Sequence, residues 1–153
     1  MIVAFFGHRD FIADDERREK IISILNDLVG DNAVEFYLGG YGHFDAFAYR
    51  CCTSFAKTHR NASLVFVTPY ITEEYQRKHL TEIKKQYHSV IYPEIENVPK
   101  RFAITYRNRY MVEKADLIIC YLKREYGGAF QAIKYAERKG KRIINIAEKT
   151  KYN

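Results

Sequence analysis

At 153 residues, with 47% hydrophobic and 29% charged side chains, the chain is long enough for one buried core and too balanced in composition for a disordered tail. Its formal charge of +6, from 25 Lys and Arg against 19 Asp and Glu, favours an anionic partner without requiring one, and no basic block is long enough for a nucleic-acid tail. The 3 cysteines give neither a disulfide framework nor a metal spacing, no run approaches a membrane span, and the short apolar start lacks a basic leader, so a cytoplasmic protein with reduced thiols is expected.

Residues 2–6 form a continuous apolar run ended by Gly7, the pattern of a strand buried on both faces of a parallel sheet. Asp14 or Asp15 can cap the helix that follows, whose apolar side carries Ile21, Leu25, Leu28 and Val29 until Gly30 stops it. A second strand over 34–38 leads into Gly39-Gly40-Tyr41-Gly42-His43-Phe44-Asp45, after which Phe44, Phe47, Ala48, Cys51, Phe55 and Ala56 recur at helical spacing. The third apolar run, 63–67, closes at Thr68-Pro69. From 70 to 99 the pattern loosens: 72–87 is polar and reads as a solvent-facing helix, 89–92 has the makings of a short strand, and 93–99 is an irregular connection. Helical character returns over 101–115, with Phe102, Tyr106 and Tyr110 four apart on one face. Residues 116–122 are β-rich and reach a turn at Gly127-Gly128. Ala129, Ala132, Ile133 and Ala136 then form the small face of a helix, and 142–147 supplies a last strand. The alternation predicts a single domain over 1–153 with an α/β fold: a doubly wound, mainly parallel five-stranded sheet in a Rossmann-like three-layer sandwich.

In such a sheet the strand C-termini share one edge, and ligands bind there where the strand order reverses. Gly7, His8, Arg9, Gly39, Gly40, Tyr41, Gly42, His43, Asp45, Thr68, Gly127 and Gly128 all follow strand ends, so they are expected to converge as a ligand-binding rim. Glycine there permits positive φ and lets backbone N–H groups at a helix start approach a phosphate or carboxylate; a tight turn with no ligand is the plainer alternative. Arg9 is placed either to hold a phosphate bidentately or to pair with Asp10, Asp14 or Asp15. Asp45 is either a helix cap or a partner for ribose hydroxyls or a general base. His8, His43 and Asp45 lack a second ligand at helical spacing, so no metal and no cofactor is expected. Arg107 and Arg109 lie on one helix; either a solvated face explains them or one of the two points to the ligand edge. Cys51 and Cys52 sit among apolar positions and read as buried structural thiols.

In their order and spacing these motifs resemble the SLOG superfamily, the Rossmann-like domains that include the Lonely Guy phosphoribohydrolases and the DNA-processing protein A fold, and especially its small YpsA-like members. The matching features are Gly7-His8-Arg9 after a strand, Gly39 to Asp45 followed by Ala48, Arg107-Asn108-Arg109-Tyr110-Met111 before Ala115-Asp116-Leu117-Ile118, and Gly127-Gly128-Ala129 with Ala136. The resemblance implies a nucleotide or nucleotide-derivative ligand, nucleoside monophosphate or ADP-ribose-like, in a sensing or regulatory role, and a homodimer or larger assembly with 70–99 as a contact. It also raises an enzymatic alternative, a nucleoside 5'-monophosphate phosphoribohydrolase with Asp45 and Arg109 as catalytic residues. The late turn departs from the Lonely Guy motif, however, having Ala129 to Ala132 where that motif has its Thr and Glu. Single-stranded nucleic acid, suggested by positive charge and 13 tyrosines, is a third option.

Overall fold

The computed structural model describes residues 1–69, 73–95 and 97–147. Tyr70 and Thr72, where the loosely patterned stretch and its expected helix begin, lie outside them. In chain order the elements are β1 (Ile2–Gly7), α1 (Asp15–Leu28), β2 (Val34–Leu38), α2 (Gly42–Ala56) and β3 (Ala62–Val67). A short helix α3 (Glu73–Tyr75) passes through a π-helical turn at Gln76–Leu80 into α4 (Thr81–Gln86), followed by β4 (Ser89–Ile91). A 3₁₀ turn at Lys100–Phe102 opens α5 (Ala103–Lys114), and β5 (Leu117–Tyr121), α6 (Gly128–Arg138) and β6 (Arg142–Asn145) complete the chain.

The strands form one six-stranded sheet in the order β4-β3-β2-β1-β5-β6, and every neighbouring pair is parallel. The expected count of five strands is therefore corrected to six. The addition is β4, only three residues long at the sheet edge, where Val65 pairs with Ser89 and Val67 with Ile91. Its three residues, Ser-Val-Ile, are only partly buried and too short to form the apolar run that marks the inner strands.

Side chains alternate across the sheet, as the period of two requires. Val3, Phe5, Phe36, Leu38, Leu64, Leu117 and Ile119 face α1 and α2, where Ile21, Leu25, Phe44, Phe47 and Cys51 meet them. Ala4, Phe6, Tyr37, Val65, Val67, Ile118 and Cys120 face the opposite layer, built from Met111 and Val112 of α5 and Ala132, Ile133 and Ala136 of α6. A three-layer α/β sandwich results. Asp14, the expected cap, sits at the N-terminus of α1 and accepts from Arg17 N–H at 2.8 Å. Past α1, Gly30 takes φ +56 and its N–H returns to Leu25 O, which ends the helix.

β1 pairs with β2 on one side and β5 on the other, so strand order reverses between β1 and β5. That is the switch point of the sheet. The C-terminal ends of both strands open there, with α5 and the start of α6 across from them.

Candidate functional site

A cavity of about 310 Å³ lies at this switch point, within the range of small-molecule sites. Its walls come from the end of β1 and the loop after it, from Gly39, Tyr41 and Asp45 beyond β2, from the inner face of α5, and from the turn that begins α6. A larger groove of about 1020 Å³ runs between α1 and β6, and none of the glycine turns reaches it.

The β1 loop is fixed by Phe11, which drives its ring into a buried cluster 4.8 Å from Phe47, 4.7 Å from Tyr121 and 5.4 Å from Phe44. Anchoring at Phe11 leaves His8, Arg9 and Asp10 at the rim. His8 is buried, and its Nε2 accepts from the backbone N–H of Lys123 at 2.9 Å and of Arg124 at 3.2 Å. Two donors converging on Nε2 require the neutral ring, and burial, with Arg124 nearby, lowers its pKa accordingly. His8 thus ties β1 to the loop after β5. Arg9 is exposed, lies over the Tyr41 ring at 5.1 Å, and makes no ion pair among the described residues. Of the acids considered as its partners, Asp14 pairs with Arg17 and Asp10 with Arg124.

The glycines divide into two groups by what surrounds them. At Gly7 a Cβ would lie 2.1 Å from the Phe44 ring, and at Gly39 it would sit 3.0 Å from the Arg107 guanidinium. Gly40 (φ +67) and Gly42 (φ +84) would meet Phe66 at 2.4 Å and the Arg9 backbone at 2.8 Å. These four permit close packing of protein on protein. At Gly127, with φ +96, and at Gly128 no atom lies within 4 Å of the same position. Gly127 is the N-cap of α6 and has no side chain to satisfy the first-turn N–H groups, which helix geometry leaves without intrahelical acceptors. The N-terminus of α2 differs: Tyr41 N–H donates to Asp45 Oδ2 at 2.7 Å and His43 N–H to Arg9 O at 3.0 Å. The helix start that offers donors to the cavity is therefore that of α6.

Asp45 is the buried acidic group of the wall, and the exposed Asp10 also lines it. Burial pushes the Asp45 carboxyl up to about 6, against the opposing pull of the Tyr41 N–H, Arg107 and Arg9. Arg107 is 2% exposed and donates from Nη1 to Gly39 O at 2.9 Å and Val67 O at 2.8 Å, and from Nε to Asn108 Oδ1 at 2.9 Å. It bolts the ends of β2 and β3 to α5. Arg109 points elsewhere: its guanidinium lies over Tyr106 at 5.5 Å and Tyr135 at 5.3 Å, outside the cavity. Gly40, Gly42, His43 and Thr68 also fall outside the wall; Thr68 is buried at the end of β3, where its N–H meets Ile91 O at 2.9 Å. Gly7, His8, Arg9, Gly39, Tyr41, Asp45, Arg107, Gly127 and Gly128 are brought together. Among the described residues no group of three or more His, Cys, Asp or Glu is arranged to hold a metal.

Sequence reading missed two contributions. Beside the expected Arg107, Ile104, Asn108 and Met111 complete a stripe of α5 along the cavity, legible as helical spacing once the inward arginine is known. Arg124 and Tyr126, just before Gly127, also line the cavity. Their only sequence signal is nearness to the glycines.

No protein-family model matches the sequence, and no curated protein matches it. Solved structures do. DNA processing protein A from Helicobacter pylori, described for its single-stranded DNA binding mode, superposes with a TM-score of 0.64 at 16% identity, over 99% of this chain and 67% of that one. The shared fold is a Rossmann-like three-layer α/β domain with a parallel sheet. DNA processing protein A (DprA) from Streptococcus pneumoniae gives 0.65 at 14% identity, over 98% and 51% of the two chains. A structural-genomics target, TM1055, gives 0.57 at 12%, over 93% and 71%. This chain therefore spans between half and seven-tenths of these neighbours' lengths, and at such identities the likeness is one of fold. Among the described residues no helix is long and apolar enough to cross a membrane.

Proposed function

We propose that the switch-point cavity binds a phosphorylated nucleoside, a nucleoside monophosphate or an ADP-ribose-like derivative, in a sensing or regulatory role. The observation that carries this reading is the start of α6, where Gly127 and Gly128 leave open space above uncapped helix N–H groups. Arg9, free of ion pairs among the described residues, supplies the counter-charge across the mouth. The order of the motifs supports the YpsA-like branch of the SLOG superfamily as its grouping, and that resemblance favours a homodimer or larger homo-oligomer.

Calorimetric titration with the four common nucleoside monophosphates and ADP-ribose tests this, with Gly128→Val as the control variant. Its side chain has room in the fold, so the variant melts like the parent and loses the ligand. Binding by neither protein, or equal binding by both, refutes the reading. A thymidine oligonucleotide in the same titration tests whether the single-stranded DNA binding described for the Helicobacter protein extends to this chain. A cavity of about 310 Å³ favours the mononucleotide over a strand.

A second reading, N-glycosidic hydrolysis, is favoured by one observation: Asp45 is a buried carboxyl raised to about 6 in the cavity wall, suited to exchanging a proton near neutral pH. In this reading Arg9 is the nearer cationic partner, since Arg109 lies outside the cavity. Chromatographic detection of free base from nucleoside monophosphates tests it. Turnover abolished by Asp45→Asn supports catalysis, and absence of turnover leaves the binding role alone.

A further inference from the structure

Across the mouth of the cavity, Arg124 and Asp10 form a two-pronged pair, Nη1 to Oδ2 at 2.8 Å and Nη2 to Oδ1 at 2.9 Å. Both residues line the cavity, and Arg124 lies three positions before Gly127. The backbone N–H of Arg124 is anchored on His8 Nε2 while its side chain is 36% exposed and its partner's 71%. The main chain is therefore fixed, while the guanidinium rests on the Asp10 carboxylate and over the Tyr126 ring at 5.3 Å. Among the described residues the Arg124 Nε is buried without a hydrogen-bond partner, so the present pairing leaves one donor unused. An exposed carboxylate is a weak holder of an arginine, because water and salt screen the pair. A phosphate dianion with three acceptor oxygens is a stronger one.

We propose that Arg124 is a second phosphate-binding side chain of the cavity, and that Asp10 acts as an internal anion which holds it until a ligand phosphate displaces the carboxylate. The proposal rests on reading the cavity as a phosphate site. It makes Asp10 a competitor of the ligand, so removing an exposed acid strengthens binding. It also puts a second arginine, Arg124, beside Arg9 in the lining of the cavity that the α6 N-terminus enters, two cationic forks suited to a diphosphate more than to a lone monophosphate.

Inorganic pyrophosphate, titrated calorimetrically into the whole chain, is the probe, and a double-mutant cycle is the test. Asp10→Asn is expected to tighten binding about threefold, the scale of an exposed ion pair. Arg124→Met is expected to weaken it about tenfold or more, and Arg124→Lys, which keeps the charge but not the fork, by less. In the Arg124→Met background Asp10→Asn has no further effect. The same gain in both backgrounds means that Asp10 acts only through its field on the cavity, and this overturns the proposal, as does no gain in either. If pyrophosphate binds neither the parent nor any variant, the phosphate-site reading itself falls and takes this one with it. Thermal melts matching the parent establish that each exposed substitution leaves the fold intact.

Discussion

Arg107→Met is the substitution whose cost the structure defines most closely. The guanidinium is almost wholly buried and satisfies Gly39 O and Val67 O, at the ends of two strands, from a single nitrogen. Methionine fills comparable length but donates nothing, which leaves two carbonyls short of a partner. At about 1–3 kcal/mol for each of the two buried groups left unsatisfied, less what the thioether recovers by packing, the net loss is roughly 2–5 kcal/mol. That is a large share of the roughly 5–15 kcal/mol that holds a domain of this size together. At about 2–4 °C for each kcal/mol in a chain of this length, the melting temperature falls by on the order of 10 °C. Urea unfolding followed by circular dichroism measures it, with Arg109→Met alongside. Arg109 is exposed and lies over the rings of exposed Tyr106 and half-buried Tyr135, so its loss costs about 0.5 kcal/mol or less. Equal midpoints for the two variants would show that Arg107 is not the bolt described here.

Three further outcomes follow from the packing and the titrating groups. Gly7→Ala pushes a methyl into the buried Phe44 ring and destabilises by about 3 kcal/mol or more, whereas Gly128→Ala, facing open space, changes stability by about 1 kcal/mol at most; thermal melts compare them. Asp45 has a folded pKa raised from 3.8 to about 6, so the native state holds its proton longer than the unfolded chain and loses stability as pH rises from about 4 to 6; the upper bound is about 3 kcal/mol. Asp45→Asn removes that component, and urea midpoints across the window reveal a flatter profile; an unchanged profile refutes the assignment. Burial raises the thiols of Cys51 and Cys52, Cys51 to about 11, and Cys120 is also buried, so a thiol reagent at neutral pH reacts slowly with native protein and promptly once urea unfolds it.

The inner strands were legible because each is an apolar run, closed in β1, β2 and β3 by glycine or Thr-Pro and in β5 by the charged turn at Lys123, and parallel strands covered on both faces need such runs. β4 escaped a firm reading because an edge strand of three residues carries almost no pattern. The meeting of Gly7, Gly39 and Gly127 at one rim followed from their position after parallel strands. What each glycine does there did not. Gly7 and Gly40 make room for Phe44 and Phe66, partners distant in sequence, while Gly127 and Gly128 face open space, and a single chain of letters does not distinguish these cases. Arg107 and Arg109 differ by two residues, about 200° around a helix axis, so they point to nearly opposite faces. Deciding which faces inward required the apolar stripe through Ala103, Met111 and Val112, a better guide than the aromatic spacing of Phe102 and Tyr106, which are exposed.

Because β1 sits mid-sheet, its second neighbour arrives late: Val3 pairs with Leu117, and the Ile2 N–H is received by Asp116 Oδ2 at 2.8 Å, 114 residues along the chain. Arg107 likewise reaches back 68 residues to Gly39. A ribosome releasing this polypeptide from its N-terminus exposes Phe5, Phe6 and the Gly39 turn well before their covering partners have been synthesised. Closing loops of that span slows the search for the native state, and during translation the half-made sheet depends on chaperones or on speed to avoid sticking to its neighbours.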